Sequence, residues 1–207
     1  MTPRAAFSSS PLATVTLVMA AAAQAIVAGL SLGYAGNVDP LRDPVSDYAW
    51  HRGGRFLFAA AVLLLLAAAG ALAVAAHLAA LPRTPLTITL FVLWAAGLVV
   101  VLLFRSNVSA EDPTLSGQIH RAGGAILFTS LPLAAWTLST RLRAERRWLA
   151  AASTLRRGAI AGVVTAAAFG TSQVVDWLPI GLLERIALLA EFVIIATTAG
   201  VLRRAVR

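Results

Sequence analysis

Residues 56–80 read FLFAAAVLLLLAAAGALAVAAHLAA, a run in which His77 is the one polar side chain. A helix needs about 20 mostly apolar residues to cross the hydrocarbon core of a bilayer. In lipid such a run must be helical, because a helix satisfies its own backbone hydrogen bonds. Working outward from this stretch, five others qualify, at 12–34, 86–104, 119–139, 159–175 and 183–202. The fifth is the most polar and the least sharply bounded. The expected fold is therefore all-α, an integral membrane bundle of six transmembrane helices. Six spans in 207 residues leave no room for a soluble domain, so residues 1–207 are expected to form one unit.

Composition agrees with this class. The chain is 59% hydrophobic and 13% charged, with a mean hydropathy of +0.81, far from the balance of a soluble domain. Cysteine is absent, which excludes disulfides, thiolate catalysis and cysteine-ligated metals. The basic excess is entirely Arg. Its densest run, Arg141, Arg143, Arg146, Arg147, Arg156 and Arg157, falls between two expected spans. Anionic lipid at the cytoplasmic surface is the expected partner there, not nucleic acid. The first apolar run, with Arg4 before it and Ala21-Ala22-Ala23-Gln24-Ala25 within it, resembles a secretory signal. It is too long for a signal core and leads directly into the first polar motif, so it is read as a retained span.

Arg counts in the connections set the expected orientation. The side that holds the N-terminus, Arg83, the basic run and the C-terminus carries eleven Arg, against six on the other. Both termini are expected to be cytoplasmic in the cell membrane. Every acid except Glu145 then lies at or toward the outer side.

A short pattern recurs on that outer side. Asp43-Pro44 is followed by His51-Arg52, and Asp112-Pro113 by His120-Arg121, at one spacing. A third copy, Asp176 with Glu184-Arg185, lacks the Pro. The first two run into Gly53-Gly54 and Gly123-Gly124, then into apolar segments that reach Phe58 and Phe128. Intervals of 69 and 64 residues between copies suit three repeated helical hairpins, and membrane sites tend to form where repeats meet. Outer turns of any bundle also favour Asp, Pro, Gly and Arg as caps and turn formers, so convergence is the plain alternative.

Several chemistries are open to these residues. Arg52, Arg121 and Arg185, near three helix N-termini, are candidates for holding a phosphate or carboxylate such as a lipid headgroup. Asp43, Asp47, Glu111, Asp112 and Asp176 compete for the same Arg, and mutual pairing and capping is the bland outcome. His51, His120 and Glu184 are candidate ligands for a divalent metal, since two imidazoles and a carboxylate serve zinc and non-haem iron sites. Asp47, four residues before His51, is then a further ligand or an orienting group. In a metal-dependent hydrolase, Asp47 or Asp112 would be the base. Haem is not expected: His77 lies about 30 Å from the outer mouth at 1.5 Å per residue, so only His51 and His120 could serve as its axial pair. His77 is read as an interfacial, hydrogen-bonded imidazole.

Glu191 stands apart, two turns beyond Glu184 inside the sixth span. An ionisable side chain at that depth faces the bundle and has a partner; Arg55, Arg121 or its own protonated state are the candidates. Gln24, Ser172, Gln173 and Asp176 would add to the same interior, where interhelical hydrogen bonding that merely fixes the packing is as plausible as an ion path. Pro132 is expected to kink the fourth helix, with Thr129 and Ser130 taking up freed backbone groups.

The motifs Asp43-Pro44-Val45-Ser46-Asp47-Tyr48, the acidic loop leading to Gly117-Gln118-Ile119-His120, and Gly181-Leu182-Leu183-Glu184-Arg185 resemble the bacterial membrane proteins of domain of unknown function 998. The resemblance covers nearly the whole chain and implies six spans. Phe104-Arg105-Ser106-Asn107 departs from it by lacking a Pro after the Phe. It implies no reaction, cofactor or substrate. An outward-facing polar site for an anionic headgroup or small anion is the leading expectation. A metal-dependent lipid hydrolase, a proton- or ion-coupled transporter using Glu191, and a structural partner subunit are the alternatives. The sequence leaves oligomeric state and partner proteins open.

Overall fold

The computed structural model describes residues 3–107 and 114–204. Six α-helices account for most of them: α1 (Pro3–Gly33), α2 (Gly54–Leu78), α3 (Pro85–Leu103), α4 (Leu115–Leu142), α5 (Leu149–Ser172) and α6 (Ile180–Arg204). Two short 3-10 turns, Val45–Trp50 and Arg146–Trp148, precede α2 and α5. No strand occurs among the described residues.

Ser9–Gly33 of α1, with α2, α3, α4 and α6, is long and apolar enough to cross a membrane. By length and composition this is a multi-pass membrane protein. The exception is α5. It starts at Leu149 rather than near 159, because the Arg146–Trp148 turn feeds straight into it. Arg156 and Arg157 therefore lie within the helix and lower its hydropathy, instead of lying in a connecting loop.

Successive helices pack against one another, and α6 closes the bundle by packing on α1 while also reaching α4 and α2. The tightest pairs are α1 with α2 and α3 with α4, followed by α4 with α5 and α5 with α6. Their interfaces are rich in small residues. Ala13, Ala20, Ala68, Ala75, Ala152, Ala159 and Ala199 are fully or almost fully buried, while Val18, Leu63, Leu93, Val99, Val164 and Val193 are exposed. In lipid the outside needs no polar cover, and helix association rests on close backbone approach. Between α3 and α4, a Cβ on Gly97 would come within 2.9 Å of the Gly123 carbonyl oxygen. α4 is continuous through Pro132, whose ring packs against Gly162 of α5.

Hydrogen bonds identify the two ends. Ser106, after α3, bonds to Asp47 and Trp50 of the first turn, and Leu182 of α6 donates to the Leu41 carbonyl. The connections α1–α2, α3–α4 and α5–α6 thus share one end, called here the mouth end. At the far end Thr87 of α3 meets Thr137 of α4, and Arg156 of α5 bonds to Thr140. Arg83 there donates to the Ala76 carbonyl and to Nδ1 of His77. Since a guanidinium can only donate, His77 accepts on that nitrogen.

Candidate functional site

The α1–α2 connection builds most of the mouth end. Asp39 Oδ1 accepts the Leu41 amide, and Asp43 Oδ2 accepts the Asp39 amide at 2.7 Å, closing a compact Asx turn. Pro44, with φ −59°, then enters the Val45–Trp50 turn. Glu184 on α6 accepts the Val45 amide at 2.6 Å. The Arg185 guanidinium donates to Ser31 Oγ of α1, to the Asp43 and Gly181 carbonyls, and to the buried Tyr48 hydroxyl at 2.7 Å. Its centre also lies 5.6 Å from the Tyr48 ring. One planar fork thereby ties α1, the first loop and α6 together.

The second loop is held by its own caps. Thr114 Oγ1 accepts the Gly117 amide at the start of α4, and Asn107 Oδ1 accepts both the amide and the hydroxyl of Thr114. Ser116 Oγ both donates to and accepts from the Arg105 backbone. His120 Nδ1 lies 2.8 Å from the Phe104 carbonyl oxygen. A carbonyl can only accept, so Nδ1 carries the proton and a neutral His120 keeps its Nε2 lone pair for another partner.

These elements enclose a cavity of about 430 Å³. Asp47, Ser106, Asn107, His120, Arg121, Gln173 and Glu184 line its polar part. Its depth is hydrocarbon, including Leu30, Phe58, Leu98, Phe128, Phe169 and Leu188. All three connected pairs contribute to it. Asp47 also accepts the Ser106 hydroxyl at 3.4 Å, and Ser106 in turn accepts the Trp50 indole N–H at 3.1 Å. Burial and then the Asp43 carboxylate push the Asp47 carboxyl up to about 6. The Ser106 hydroxyl, His51 and Arg185 act against this and do not overcome it.

The three copies of the sequence pattern do not have equivalent places. His120 and Glu184 sit within α4 and α6, whereas His51 precedes α2 and its ring lies tilted against Tyr34, centroids 6.0 Å apart. Arg121 lines the cavity, but Arg52 is exposed and does not. Arg185 is occupied by four internal oxygens rather than free for an anion. Asp176 is exposed and away from the cavity lining. The Gly pairs differ as well: a Cβ at Gly54 would strike the Tyr48 carbonyl, while Gly124 has nothing within 4 Å. Asp112, Glu111 and Pro113 lie outside the described residues.

Among the described residues no group of three or more His, Asp or Glu side chains is placed to hold a metal. His120 and Glu184 line the same cavity but bond to different backbone groups, the Phe104 carbonyl and the Val45 amide, while His51 is outside that lining beside Tyr34. Glu191 is buried, and its partner is neither Arg55 nor Arg121. The fully buried Trp94 indole of α3 donates to Glu191 Oε2 at 3.3 Å, and Oε1 has no partner among the described residues. A Trp deep in a span needs an acceptor for its N–H, and Glu191 is the one carboxylate at that depth. That requirement is the sequence signal that joins the two. Gln24 of α1 donates to the Leu188 carbonyl at 3.0 Å, one turn nearer the mouth.

No curated protein and no solved structure matches this chain. The family model described as protein of unknown function (DUF998) matches residues 17–201. Its span takes in the mouth-end turns, every cavity-lining residue and the Glu191–Trp94 pair, and the chain belongs to the DUF998 family.

Proposed function

We propose that the chain binds an amphiphile with an acidic head, such as a fatty acid or an anionic phospholipid, in the mouth-end cavity. The carrying observation is the two-part lining of that cavity, with polar groups from three helix pairs at one end and hydrocarbon at the other. Its size falls in the range of small-molecule sites, roughly 300–1,000 Å³. Arg121 meets no carboxylate among the described residues and is the cation offered to the head. His120 Nε2 and the Asp47 carboxylate can only accept, so they suit a hydroxyl on the head, as on a phosphatidylglycerol, and the tail lies against Phe58, Phe128 and Leu188. Arg52 and Arg185 take no part in this site.

The same proposal includes the membrane arrangement. α5 crosses with the other five helices, giving six spans in a single unit; its packing along α4 and α6, both long and apolar enough to cross, supports this. The Arg excess at the far end supports a cytoplasmic side for both termini and an outer side of the cell membrane for the cavity mouth. Anionic lipid meets the Arg141–Arg157 face.

Binding of a fluorescent fatty acid to the protein in nanodiscs tests the site. Saturable binding is expected, weakened about tenfold by Arg121→Gln, in line with about 1.4 kcal/mol for a lost charge contact. Gly124→Leu, which places a side chain in open cavity space, is expected to abolish it. Unchanged binding in a folded Gly124→Leu variant rules the site out.

A further inference from the structure

A second cavity, of about 240 Å³, lies toward the far end, lined by Leu72, Arg83, Thr87, Phe91, Ile194 and Thr198 among others. Four helices line both cavities, and on each the two sets of residues follow one another along the axis; on α4 they run to Thr129 and from Leu131, with only Ser130 between, and on the other three the gap is wider. α2 gives Phe58–Leu65 to the mouth cavity and Leu72–Ala76 to the far one. α3 gives Leu98 and Val101 to the first and Thr87–Phe91 to the second, and α6 gives Ile180–Leu188 and then Ile194–Thr198. The levels left between them hold Trp94 on α3 and Glu191 on α6, which are bonded to each other. Trp94 is the largest fully buried side chain, so its ring fills the partition, and Phe91 backs it with ring centroids 5.4 Å apart.

Glu191 is also the one ionisable side chain between the two mouths. From Phe56 to Ala76, Pro85 to Leu103, Ala122 to Thr140, Gly158 to Ser172 and Ile186 to Leu202, no other Asp, Glu, His, Lys or Arg occurs. Ser9 to Gly33 of α1 has none either. The nearest titratable or charged groups along the path are Asp47, His120, Arg121 and Glu184 on the mouth cavity and Arg83 on the far one. None makes an ion pair with Glu191 among the described residues.

We propose that Glu191 is a mid-membrane proton-binding site through which the chain passes protons between the two cavities. A carboxyl that only fixed helix packing would have both oxygens bonded, but Oε1 is buried without a partner among the described residues. A metal cation needs several oxygens around it, and a single free oxygen in hydrocarbon offers too few; a proton needs one. The Trp94 N–H holds Oε2 and makes Trp94 a positioning residue, which leaves Oε1 to exchange. A proton entering from the mouth cavity converts the Glu191 carboxylate to the acid at Oε1. Release toward the far cavity breaks that O–H bond and restores the carboxylate, so one charge crosses per cycle.

The test is proton flux into phosphatidylethanolamine/phosphatidylglycerol liposomes holding the full chain, driven by a valinomycin potassium potential and read by trapped pyranine. Wild-type protein is expected to acidify the lumen faster than empty liposomes. Glu191→Gln is expected to lower the rate at least tenfold, and Trp94→Phe to alter its pH dependence. On wild-type protein, dicyclohexylcarbodiimide is expected to label Glu191 and stop the flux, a result independent of any variant's folding. Flux no greater than in empty liposomes, full flux in folded Glu191→Gln, or full flux with Glu191 labelled overturns the proposal. Each of these leaves amphiphile binding at the mouth cavity unaffected.

Discussion

Glu184, in the second turn of α6, accepts the backbone N–H of Val45 at 2.6 Å, a bond that spans 139 residues of sequence. With the neighbouring Arg185–Tyr48 bond, it fixes the first connection against the last helix. This joint gives the mouth cavity one of its walls.

Removing that acceptor leaves the Val45 amide unpaired. Glu184→Ala is expected to cost about 1–3 kcal/mol, the range for leaving a buried hydrogen-bonding group without its partner. Glu184→Gln keeps an acceptor oxygen and is expected to lose less. Thermal unfolding in detergent, followed by circular dichroism, checks the order; equal losses contradict it.

Asp47 supplies a pH dependence with a defined sign. Its folded-state value of about 6 lies above the ordinary 3.8, so between those pH values the folded chain holds more protons than the unfolded one. Its contribution to stability is full below 3.8 and is lost as pH rises through about 6. Asp47→Asn is therefore expected to raise the melting temperature relative to wild type more at pH 7.5 than at pH 4. An offset independent of pH contradicts the assignment.

Gly181 opens α6 against the first loop, and a Cβ there would strike the Asp43 backbone and the Pro40 carbonyl. Because these are backbone atoms, no side-chain rotation relieves the clash. Gly181→Ala is expected to destabilise by about 1–3 kcal/mol, while Gly36→Ala, with open space around it, stays near neutral. Paired melting curves distinguish the two positions.

His120 is oriented by its bond to the Phe104 carbonyl. His120→Ala is expected to weaken binding of a fluorescent phosphatidylglycerol, whose glycerol hydroxyl can donate to Nε2, about fivefold, close to 1 kcal/mol. Fluorescence titration in nanodiscs measures it, and unchanged affinity removes His120 from the site.

Much of the fold was legible because the apolar runs are long and clean. Residues 56–80 and 86–104 agree closely with α2 and α3. α5 was misplaced at its start because Arg156 and Arg157 read as loop, although a helix tolerates Arg that reaches an interface. Arg156, for example, lies over the Trp136 ring at 3.3 Å. Asp47, His120, Arg121 and Glu184 carried a visible signal, being polar residues at the edges of apolar runs. Their common cavity did not, since it depends on helix rotation and on the first loop folding across α6. The surroundings of Arg185 were hidden for the same reason: its bonds with Ser31, Asp43, Gly181 and Tyr48 join parts of the chain that sequence spacing cannot bring together.

Native mass spectrometry of the protein gently extracted from its own membrane tests the amphiphile site most directly. The prediction is a wild-type peak carrying one acyl-chain lipid or fatty acid, with that added mass missing from Gly124→Leu and reduced in Arg121→Gln. A bare polypeptide mass for wild type, or the same adduct retained in full by Gly124→Leu, would contradict it.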